Sequence, residues 1–221
     1  MWPRPLFRDR REAGRVLAER LKPILPDKDI LVRALPRGGA PGGLEVAQAL
    51  HGDLDVFLVR KLGVPGHEEL AMGAIASGGV RIVSEDVTAM LGIPDRVIAT
   101  VAAAEEKELE RRERLYRDAR PSPNVQGRVV ILVDDGLATG ATMRAAAAAL
   151  RTQGPEWLVV AVPVAPPETC QALRTVADDV VCALSPEPFV AVGAWYDDFT
   201  QISDDEVRAL LQRAAEEQVG V

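Results

Sequence analysis

The chain alternates between short apolar runs and segments in which apolar residues recur every three or four positions. Near its start, Val16, Leu17 and Leu21 follow Asp9, a residue that can cap a helix, and two prolines come after this pattern. The runs that we interpret as strands are ILVRAL (30–35), LDVFLVR (54–60), VRIVS (80–84), RVVILV (128–133), WLVVAVPV (157–164) and DVVCAL (179–184). Helical segments separate most of these runs, so the pattern predicts an α/β fold.

The strand RVVILV lacks alternation of apolar and polar residues, which is typical of a parallel strand that is buried on both faces. Further helices are predicted through Val46 and Leu50, over residues 95–117, up to Leu150, through Ala172 and Leu173, and in the tail with Val207, Leu210 and Leu211 facing inward. We therefore expect a mainly parallel central sheet that is flanked by helices. Ligands bind beyond the carboxyl ends of the strands in such sheets, so the loops there should carry the chemistry.

The Pro- and Gly-containing stretches fall between the periodic segments, and no linker or internal repeat divides the chain. We expect residues 1–221 to form one domain. Its core would span about 28–184, and a small hood would combine the N-terminal segment with about 185–202. A C-terminal helix would cover about 203–217.

Composition narrows the classes of function. The 221 residues are 48% hydrophobic and 27% charged, as in folded globular proteins, and their net charge of -7 disfavours general attraction to nucleic acid or anionic membranes. No apolar run approaches the roughly 20 residues that span a bilayer, and the N-terminus is charged where a signal peptide needs an apolar core. We expect a protein that is neither exported by that route nor embedded in a membrane.

The two cysteines, Cys170 and Cys182, have neither CxxC spacing nor a histidine nearby. This fits neither a zinc site nor the disulfide framework of a secreted protein. We therefore expect a reducing cytoplasm as the location.

The strongest chemical signal is RVVILVDDGLATGATM, residues 128–143. Residues 139–142 would present backbone N–H groups and two hydroxyls at a helix N-terminus, where the helix dipole favours a phosphate. Asp134 and Asp135 precede them, and carboxylates accept hydrogen bonds without donating, which suits a vicinal diol. A phosphate beside a diol indicates a ribose 5-phosphate group.

Other interpretations of this segment are weaker. Asp135 and Gly136 can form an ordinary turn before a capped helix. The aspartate pair of a two-component receiver also follows a buried strand, but receivers carry it after their first strand, whereas here three predicted strands precede the strand that carries the pair. A P-loop is excluded because GxxxxGK[ST] is absent.

With its apolar run, DD pair and ATGAT loop, the segment resembles the binding motif for phosphoribosyl pyrophosphate (PRPP) in type I phosphoribosyltransferases. The resemblance extends more loosely to bacterial phosphoribosyltransferase-domain proteins that share the PRGG turn and the KLGxPGxxELAxGAI stretch. It implies the type I phosphoribosyltransferase fold with a small hood. It also implies transfer of the 5-phosphoribosyl group from PRPP to a nitrogenous acceptor with release of pyrophosphate. Mg²⁺ would bind through the pyrophosphate of PRPP, without a certain protein ligand.

The resemblance also assigns roles to residues. The PRPP 5′-phosphate would be bound by Ala138, Thr139, Gly140, Ala141 and Thr142. The pyrophosphate would be bound by Arg37, Gly38, Gly39, Arg60 and Lys61, with a PRGG loop that often has a non-proline cis peptide in this family. Asp134 and Asp135 would also lie near the positive charge that develops on the ribose ring. From the residues alone, PRGG can equally be an ordinary turn, and Arg60 with Lys61 a basic pair on the surface.

Glycines and prolines between 63 and 79 suit a hinged lid over a reactive intermediate. Glu69 would be its catalytic residue and a candidate general base, with Glu68 and His67 as lesser candidates. An ordered β-hairpin or a dimer contact is the alternative. Ala138 stands where 6-oxopurine enzymes of the family usually carry an acid, so a purine-like base of the adenine type is favoured as acceptor.

The acceptor would bind under the hood. Trp195 and Tyr196, with Phe189 and Phe199, could stack on a planar ring, and Asp197 or Asp198 could accept from exocyclic N–H groups. Alternatively, these aromatic rings close the edge of the core.

The expected partners are PRPP and a small-molecule acceptor, with no nucleic acid and no membrane. The helix over 95–117 mixes charges of both signs, so it would be a solvated face or would support a homodimer. Two rival functions remain. A non-catalytic PRPP-sensing regulator would keep the binding loop, although such regulators usually add a nucleic-acid-binding element. A PRPP-cleaving hydrolase would release pyrophosphate without an acceptor.

Overall fold

The computed structural model describes residues 6–26, 28–118 and 120–219, without the side chains of Glu69, Gln218 and Val219. The strands are β1 (Ile30–Ala34), β2 (Asp53–Val56), β3 (Val59–Val64), β4 (His67–Ala76), β5 (Val80–Val83), β6 (Val129–Val133), β7 (Trp157–Val164) and β8 (Asp179–Leu184). The helices are α1 (Arg10–Leu21), α2 (Gly39–Leu50), α3 (Glu85–Met90), α4 (Asp95–Arg117), α5 (Ala141–Arg151), α6 (Pro167–Leu173) and α7 (Asp204–Val219). A short 3₁₀ turn covers Val192–Trp195.

Five parallel strands form the central sheet in the order β2-β1-β6-β7-β8. Successive residues of its strands face opposite sides: Val130 packs with α5 and α6, whereas Ile131 packs with α1 and α2. Burial on both faces explains the continuous apolar runs. The prediction of a mainly parallel sheet flanked by helices is confirmed.

The predicted strand over 54–60 is wrong in one respect, because the chain changes pairing partner within it. Phe57 N still donates to Ala34 O beside β1, at 2.9 Å. At Leu58 the backbone turns to Ser77, since Leu58 N donates to Ser77 Oγ at 3.0 Å and Ser77 N donates to Leu58 O at 2.9 Å. The segment is therefore two strands, β2 in the parallel sheet and β3 in a separate antiparallel sheet of order β3-β4-β5.

This second sheet contains the segment that glycines and prolines marked as a lid. Strands β3 and β4 pair antiparallel from Val59 with Ala76 to Val64 with His67. The segment is thus a β-hairpin, as the alternative interpretation expected, and its motion as a lid stays a prediction. Helix α3 was not predicted, because it has six residues and buries none of them.

The N-terminal segment and the segment that follows β8 lie side by side. Asp9 caps α1 by accepting from Glu12 N at 2.8 Å, as its position in the sequence predicts. Phe7 forms an isolated β-bridge with Tyr196, and Asp197 N donates to Phe7 O at 2.9 Å. These are the two segments from which we expected the hood.

Cys170 on α6 and Cys182 on β8 form a disulfide, with Cα atoms 6.5 Å apart. The interpretation of these cysteines as unrelated to disulfide chemistry therefore needs correction. Their spacing of 12 residues carries no recognisable motif, and only the packing of α6 beside β8 brings them together. Within the described ranges, no helix is both long and apolar enough to cross a membrane.

Candidate functional site

The acid pair and the PRGG turn meet at the carboxyl edge of the central sheet. Strands β1 and β6 are neighbours, so the loops that follow them emerge side by side. A Cβ atom on Gly39 would lie 2.6 Å from Val133 O, and one on Gly38 would lie 2.1 Å from Asp135 Oδ2. Both distances are too short for a side chain, so glycine is required for this close approach. Two motifs that are almost a hundred residues apart in sequence are thus in direct contact.

Both carboxylates of the acid pair are largely removed from solvent. Burial raises the pKa of Asp134 well above its ordinary value, and the charge of Asp135 raises it further. Burial also raises the pKa of Asp135, whereas the Arg10 guanidinium acts in the opposite direction. Asp134 Oδ1 accepts a hydrogen bond from Asp135 N at 2.9 Å, which fixes one carboxylate against the backbone of the other.

Arg10, the first residue of α1, is the cation of this site. Its Nε atom lies 2.7 Å from Asp135 Oδ2, and the two side chains are only 9% and 14% exposed. Its Nη1 donates to Thr200 O at 2.8 Å, and its Cζ lies 3.8 Å from the centre of the Phe199 ring. Tyr196 Oη donates to the backbone oxygen of Asp135 at 2.5 Å. The hood therefore holds Asp135 through both its side chain and its backbone.

Sequence reasoning did not single out Arg10. It belongs to the charged run RDRREAG, in which neighbouring arginines look equivalent. No spacing or motif distinguishes it. The only available signal was that α1 must pack near the carboxyl edge of the sheet.

The loop predicted to bind the 5′-phosphate joins β6 to α5. Gly140 precedes α5 with φ of 68°, a conformation that favours glycine, and no side chain caps the helix. The first hydrogen bond along the helix runs from Arg144 N to Gly140 O at 2.9 Å, so the preceding amides have no acceptor within the helix. Thr139, Ala141 and Thr142 are exposed there. The arrangement offers N–H groups and hydroxyls to an anion.

Helix α6 supports this loop from the other side. Thr169 Oγ1 donates to Ala138 O at 2.6 Å, and Ala138 itself is exposed. A Cβ atom on Gly140 would lie 2.8 Å from Thr169 Cγ2. The neighbouring Cys170 is tied by its disulfide to β8. The loop therefore rests on a helix that is itself cross-linked to the sheet.

The PRGG turn has the backbone feature that the resemblance implies, since the peptide bond between Pro36 and Arg37 is cis. Arg37 is partly buried, and no hydrogen bond or ion pair joins its side chain to another part of the described structure. Gly38 and Gly39 follow at the start of α2. The Gly39 amide donates to Leu35 O at 2.9 Å, so Arg37 and the Gly38 amide are the donors that this turn offers beside the acid pair.

The remaining residues assigned to pyrophosphate and catalysis lie in the antiparallel sheet. Arg60 on β3 is held by Glu105 of α4, with Nε and Nη2 at 2.6 and 2.5 Å from Glu105 Oε2. Lys61 is exposed beside it. Glu69 lies in β4, but its side chain is outside the described part of the structure, and Glu68 accepts a hydrogen bond from Gly66 N at 3.1 Å. Arg60 is thus paired with α4, and the roles assigned to Arg60, Lys61 and Glu69 stay predictions.

The predicted acceptor residues fall into two groups. Trp195 and Tyr196 are 6% and 4% exposed and pack in a core cluster with Phe7, as expected if these rings close the edge of the core. Asp197 is exposed. Beside Arg10 lies a cavity of about 540 Å³ between α1, α7 and residues 198–202. Its lining includes Arg10, Arg11, Pro41, Thr200, Ile202 and Leu210. Among the described residues, no cluster of three or more His, Cys, Asp or Glu side chains is suited to hold a metal ion.

Comparisons with known proteins identify similar chains. Residues 10–196 match the family described as "Phosphoribosyl transferase domain". Two proteins of Mycobacterium tuberculosis, from strains CDC 1551 and H37Rv and both named "Putative phosphoribosyl transferase", are 46% identical over 209 residues. The match covers 95% of this chain and 47% of each relative, so the chain spans about half of their length. The crystal structure of TT1426 from Thermus thermophilus is 43% identical and superposes with a TM-score of 0.84, covering 94% of this chain and 98% of that one.

Proposed function

The chain belongs to the phosphoribosyl transferase domain family, and on that premise we propose that it transfers the 5-phosphoribosyl group of PRPP to a nitrogenous base. In this reaction the bond between ribose C1 and the diphosphate breaks, and pyrophosphate leaves with the bonding electrons. A nitrogen of the acceptor forms the new bond to C1 from the opposite face.

The observation that carries the proposal is the contact between the acid pair and the PRGG turn, with the uncapped start of α5 in the same loop. Asp135 Oδ2 lies where a Cβ on Gly38 would be only 2.1 Å away. The groups that we propose for the diol, the 5′-phosphate and the diphosphate are therefore contiguous. PRPP carries these three groups on one ribose ring.

Each part of the site would act by binding and orienting PRPP. Asp134 and Asp135 would accept the hydroxyl protons of the ribose and would stabilise positive charge that develops on the ring. The amides and hydroxyls of residues 139–142 would hold the 5′-phosphate. Arg37 and the amide of Gly38 would bind the diphosphate, and Gly39, whose own amide donates to Leu35 O at 2.9 Å, would allow its close approach. Positioning and charge neutralisation are the main terms expected when the leaving group is highly charged.

Mg²⁺ would be held through the pyrophosphate of PRPP, because no described cluster of His, Cys, Asp or Glu side chains suits a metal ion and phosphate oxygens are ligands that Mg²⁺ prefers. When bound through the pyrophosphate of PRPP, Mg²⁺ would neutralise charge on the leaving group. Closure of the β3–β4 hairpin, with Glu69 as a general base, belongs to the same proposal.

For the acceptor we propose a purine-like base of the adenine type. The support is Ala138, whose methyl side chain cannot handle the N7 proton of a 6-oxopurine. The cavity beside Arg10 and the exposed Asp197 offer places for such a ring and its exocyclic N–H groups. Trp195 and Tyr196 would contribute as the buried support of this region.

Calorimetric titration with PRPP and Mg²⁺, followed by a pyrophosphate-release screen over purines, pyrimidines and a control without acceptor, tests the proposal. We expect binding, and release that depends on one class of base. The variant with Asp134→Asn and Asp135→Asn should bind PRPP far more weakly while keeping its fold. Unchanged PRPP affinity in that variant would remove the diol assignment.

The same experiment separates the rival functions. Release without acceptor identifies a PRPP-cleaving hydrolase, and binding without release for any base favours a PRPP-sensing regulator. Absence of PRPP binding refutes the central assignment. A cytoplasmic location also remains a proposal, and the Cys170–Cys182 disulfide bears on it because such bonds are uncommon in reducing compartments.

A further inference from the structure

We propose that Arg10 is a positioning residue of the ribose site, whose guanidinium fixes the Asp135 carboxylate in the orientation that accepts the ribose hydroxyls. This inference rests on the proposed role of Asp135 in binding the diol. It adds a residue that no motif identifies and that is not among the predicted site residues.

The contacts of Arg10 fix both its guanidinium and the Asp135 carboxylate. Arg10 contacts three groups at once: Asp135 Oδ2 at 2.7 Å, Thr200 O at 2.8 Å and the Phe199 ring at 3.8 Å. Each contact restricts a different direction of the planar guanidinium. Asp135 Oδ2 is confined on its other side by Gly38, where even a Cβ would not fit. The carboxylate is therefore clamped between α1 and the start of α2.

Arg10 also brings positive charge to the acid pair. The charged and titratable groups that face Asp135 in the described structure are Asp134 beside it, Arg10 from α1 and the Tyr196 hydroxyl on its backbone oxygen. Arg10 forms the ion pair with Asp135, and its charge also acts on Asp134. Burial raises the pKa of both carboxyls, and Arg10 opposes that shift for each of them. Without Arg10, Asp135 would lose the guanidinium that forms its ion pair, and the repulsion between the two neighbouring acids would increase in weight.

Arg10 also contacts the hood segment that contains Phe199 and Thr200. Thr200 and Phe199 belong to the segment that follows the 3₁₀ turn, so Arg10 links that segment to the ribose site. Arg10 also lines the cavity that we propose for the acceptor. Because Arg10 contacts both the hood and Asp135, the orientation of the Asp135 carboxylate that binds the diol depends on the placement of the hood.

The test compares two ligands that differ in one hydroxyl: ribose 5-phosphate, which has the vicinal diol, and 2-deoxyribose 5-phosphate, which lacks it. Calorimetry gives the ratio of their dissociation constants for the wild type, Arg10→Gln, Arg10→Lys, Asp135→Asn and Arg15→Gln. Arg15 is the matched control, because it lies on the same helix and pairs with Glu45 rather than with Asp135. Thermal unfolding of each variant monitors the fold.

We expect the wild type and Arg15→Gln to prefer ribose 5-phosphate equally. Asp135→Asn should lose this preference, and Arg10→Gln should reduce it by about tenfold, the effect of one charge-assisted hydrogen bond. Arg10→Lys should give an intermediate ratio, since one ammonium group cannot reproduce the planar, three-sided contact. A purely structural role of Arg10 would weaken both ligands to the same extent and leave the ratio unchanged.

The outcomes distinguish the role of Arg10 from the assignment of Asp135 to the diol. If Asp135→Asn loses the preference and folded Arg10→Gln keeps it, the role of Arg10 is refuted and the diol assignment stands. If Asp135→Asn keeps the preference, the diol assignment fails and this inference fails with it. If Arg10→Gln does not fold, Arg10→Lys decides, and a wild-type ratio in that variant overturns the inference.

Discussion

A single methyl group added at Gly38 should displace the Asp135 carboxylate and weaken PRPP binding. In Gly38→Ala the new Cβ would lie 2.1 Å from Asp135 Oδ2, about 1.3 Å closer than ordinary van der Waals contact at 3.4 Å. The backbone of Gly38 is in the right-handed helical region, with φ of −59°, so alanine fits its conformation. The whole effect must therefore arise from the contact with Asp135, which Arg10 prevents from moving freely.

The expected loss of PRPP affinity follows from the hydrogen bond that a displaced Asp135 carboxylate can no longer accept from the ribose. Loss of one hydrogen bond between the ribose and a charged group costs about 1.5–3 kcal/mol, which is about a 10- to 150-fold weaker binding of PRPP. Overpacking of a buried site costs about 1–3 kcal/mol in the free energy of unfolding. We therefore expect a modest loss of stability and a larger proportional loss of affinity.

The matched control is Gly42→Ala on the same helix. A Cβ there would meet its nearest atom, Arg10 O, at 3.4 Å, an ordinary contact. Alanine is a better helix former than glycine by about 0.5–1 kcal/mol, so this variant should be as stable as the wild type or more stable, with unchanged PRPP affinity. Calorimetry with PRPP and Mg²⁺ and urea unfolding measure both quantities. Wild-type affinity and stability in Gly38→Ala would refute the assignment of Asp135 to the ribose site and the close packing that supports it.

Three further predictions address other parts of the site. Replacing Thr139 and Thr142 by Val should raise the dissociation constants of ribose 5-phosphate and PRPP severalfold, since each hydroxyl contributes about 0.5–1.5 kcal/mol, and equal binding measured by calorimetry would contradict the phosphate cradle. Burial raises the pKa of Asp134 above its ordinary 3.8, so the free energy of unfolding should fall as the pH rises through the raised pKa. Urea unfolding of Asp134→Asn should show a weaker dependence on pH. A variant with the wild-type dependence would contradict the shift. Denatured protein purified without reductant should show no reactive thiol, because Cys170 and Cys182 are the only cysteines and are joined; two thiols per chain would contradict the disulfide.

The sequence allowed good prediction wherever the determinants are local. The runs at 128–133 and 157–164 are continuous and apolar because the strands are buried on both faces, and this property is visible without knowledge of their neighbours. The helix over 95–117 was predicted with its observed limits, since its charge pattern and flanking residues are local signals. The DD pair and the loop before α5 were likewise identifiable from residue types and spacing.

Prediction failed where the outcome depends on which distant segment the chain meets. Residues 54–60 look like one strand, yet at Leu58 the backbone changes partner to Ser77, which no local feature of this run announces. Arg10 resembles its neighbouring arginines until the fold places it on Asp135. Cys170 and Cys182 become a pair only because α6 packs beside β8. In each case the missing information is a long-range contact.

Several features that lower the stability of the fold lie together around Asp135, and their coincidence supports a ligand-binding role for this place. A buried acid pair has a desolvation cost, which one guanidinium offsets only in part. Gly38 and Gly140 precede α2 and α5 at positions where neither helix has a side-chain cap. Each feature alone has a purely structural explanation, but the sheet needs none of them at this point, because apolar residues would pack against Val133 at lower cost. Such departures from local consistency are expected where a fold is adapted to bind something, and here they coincide at the edge of the sheet that receives ligands in α/β proteins.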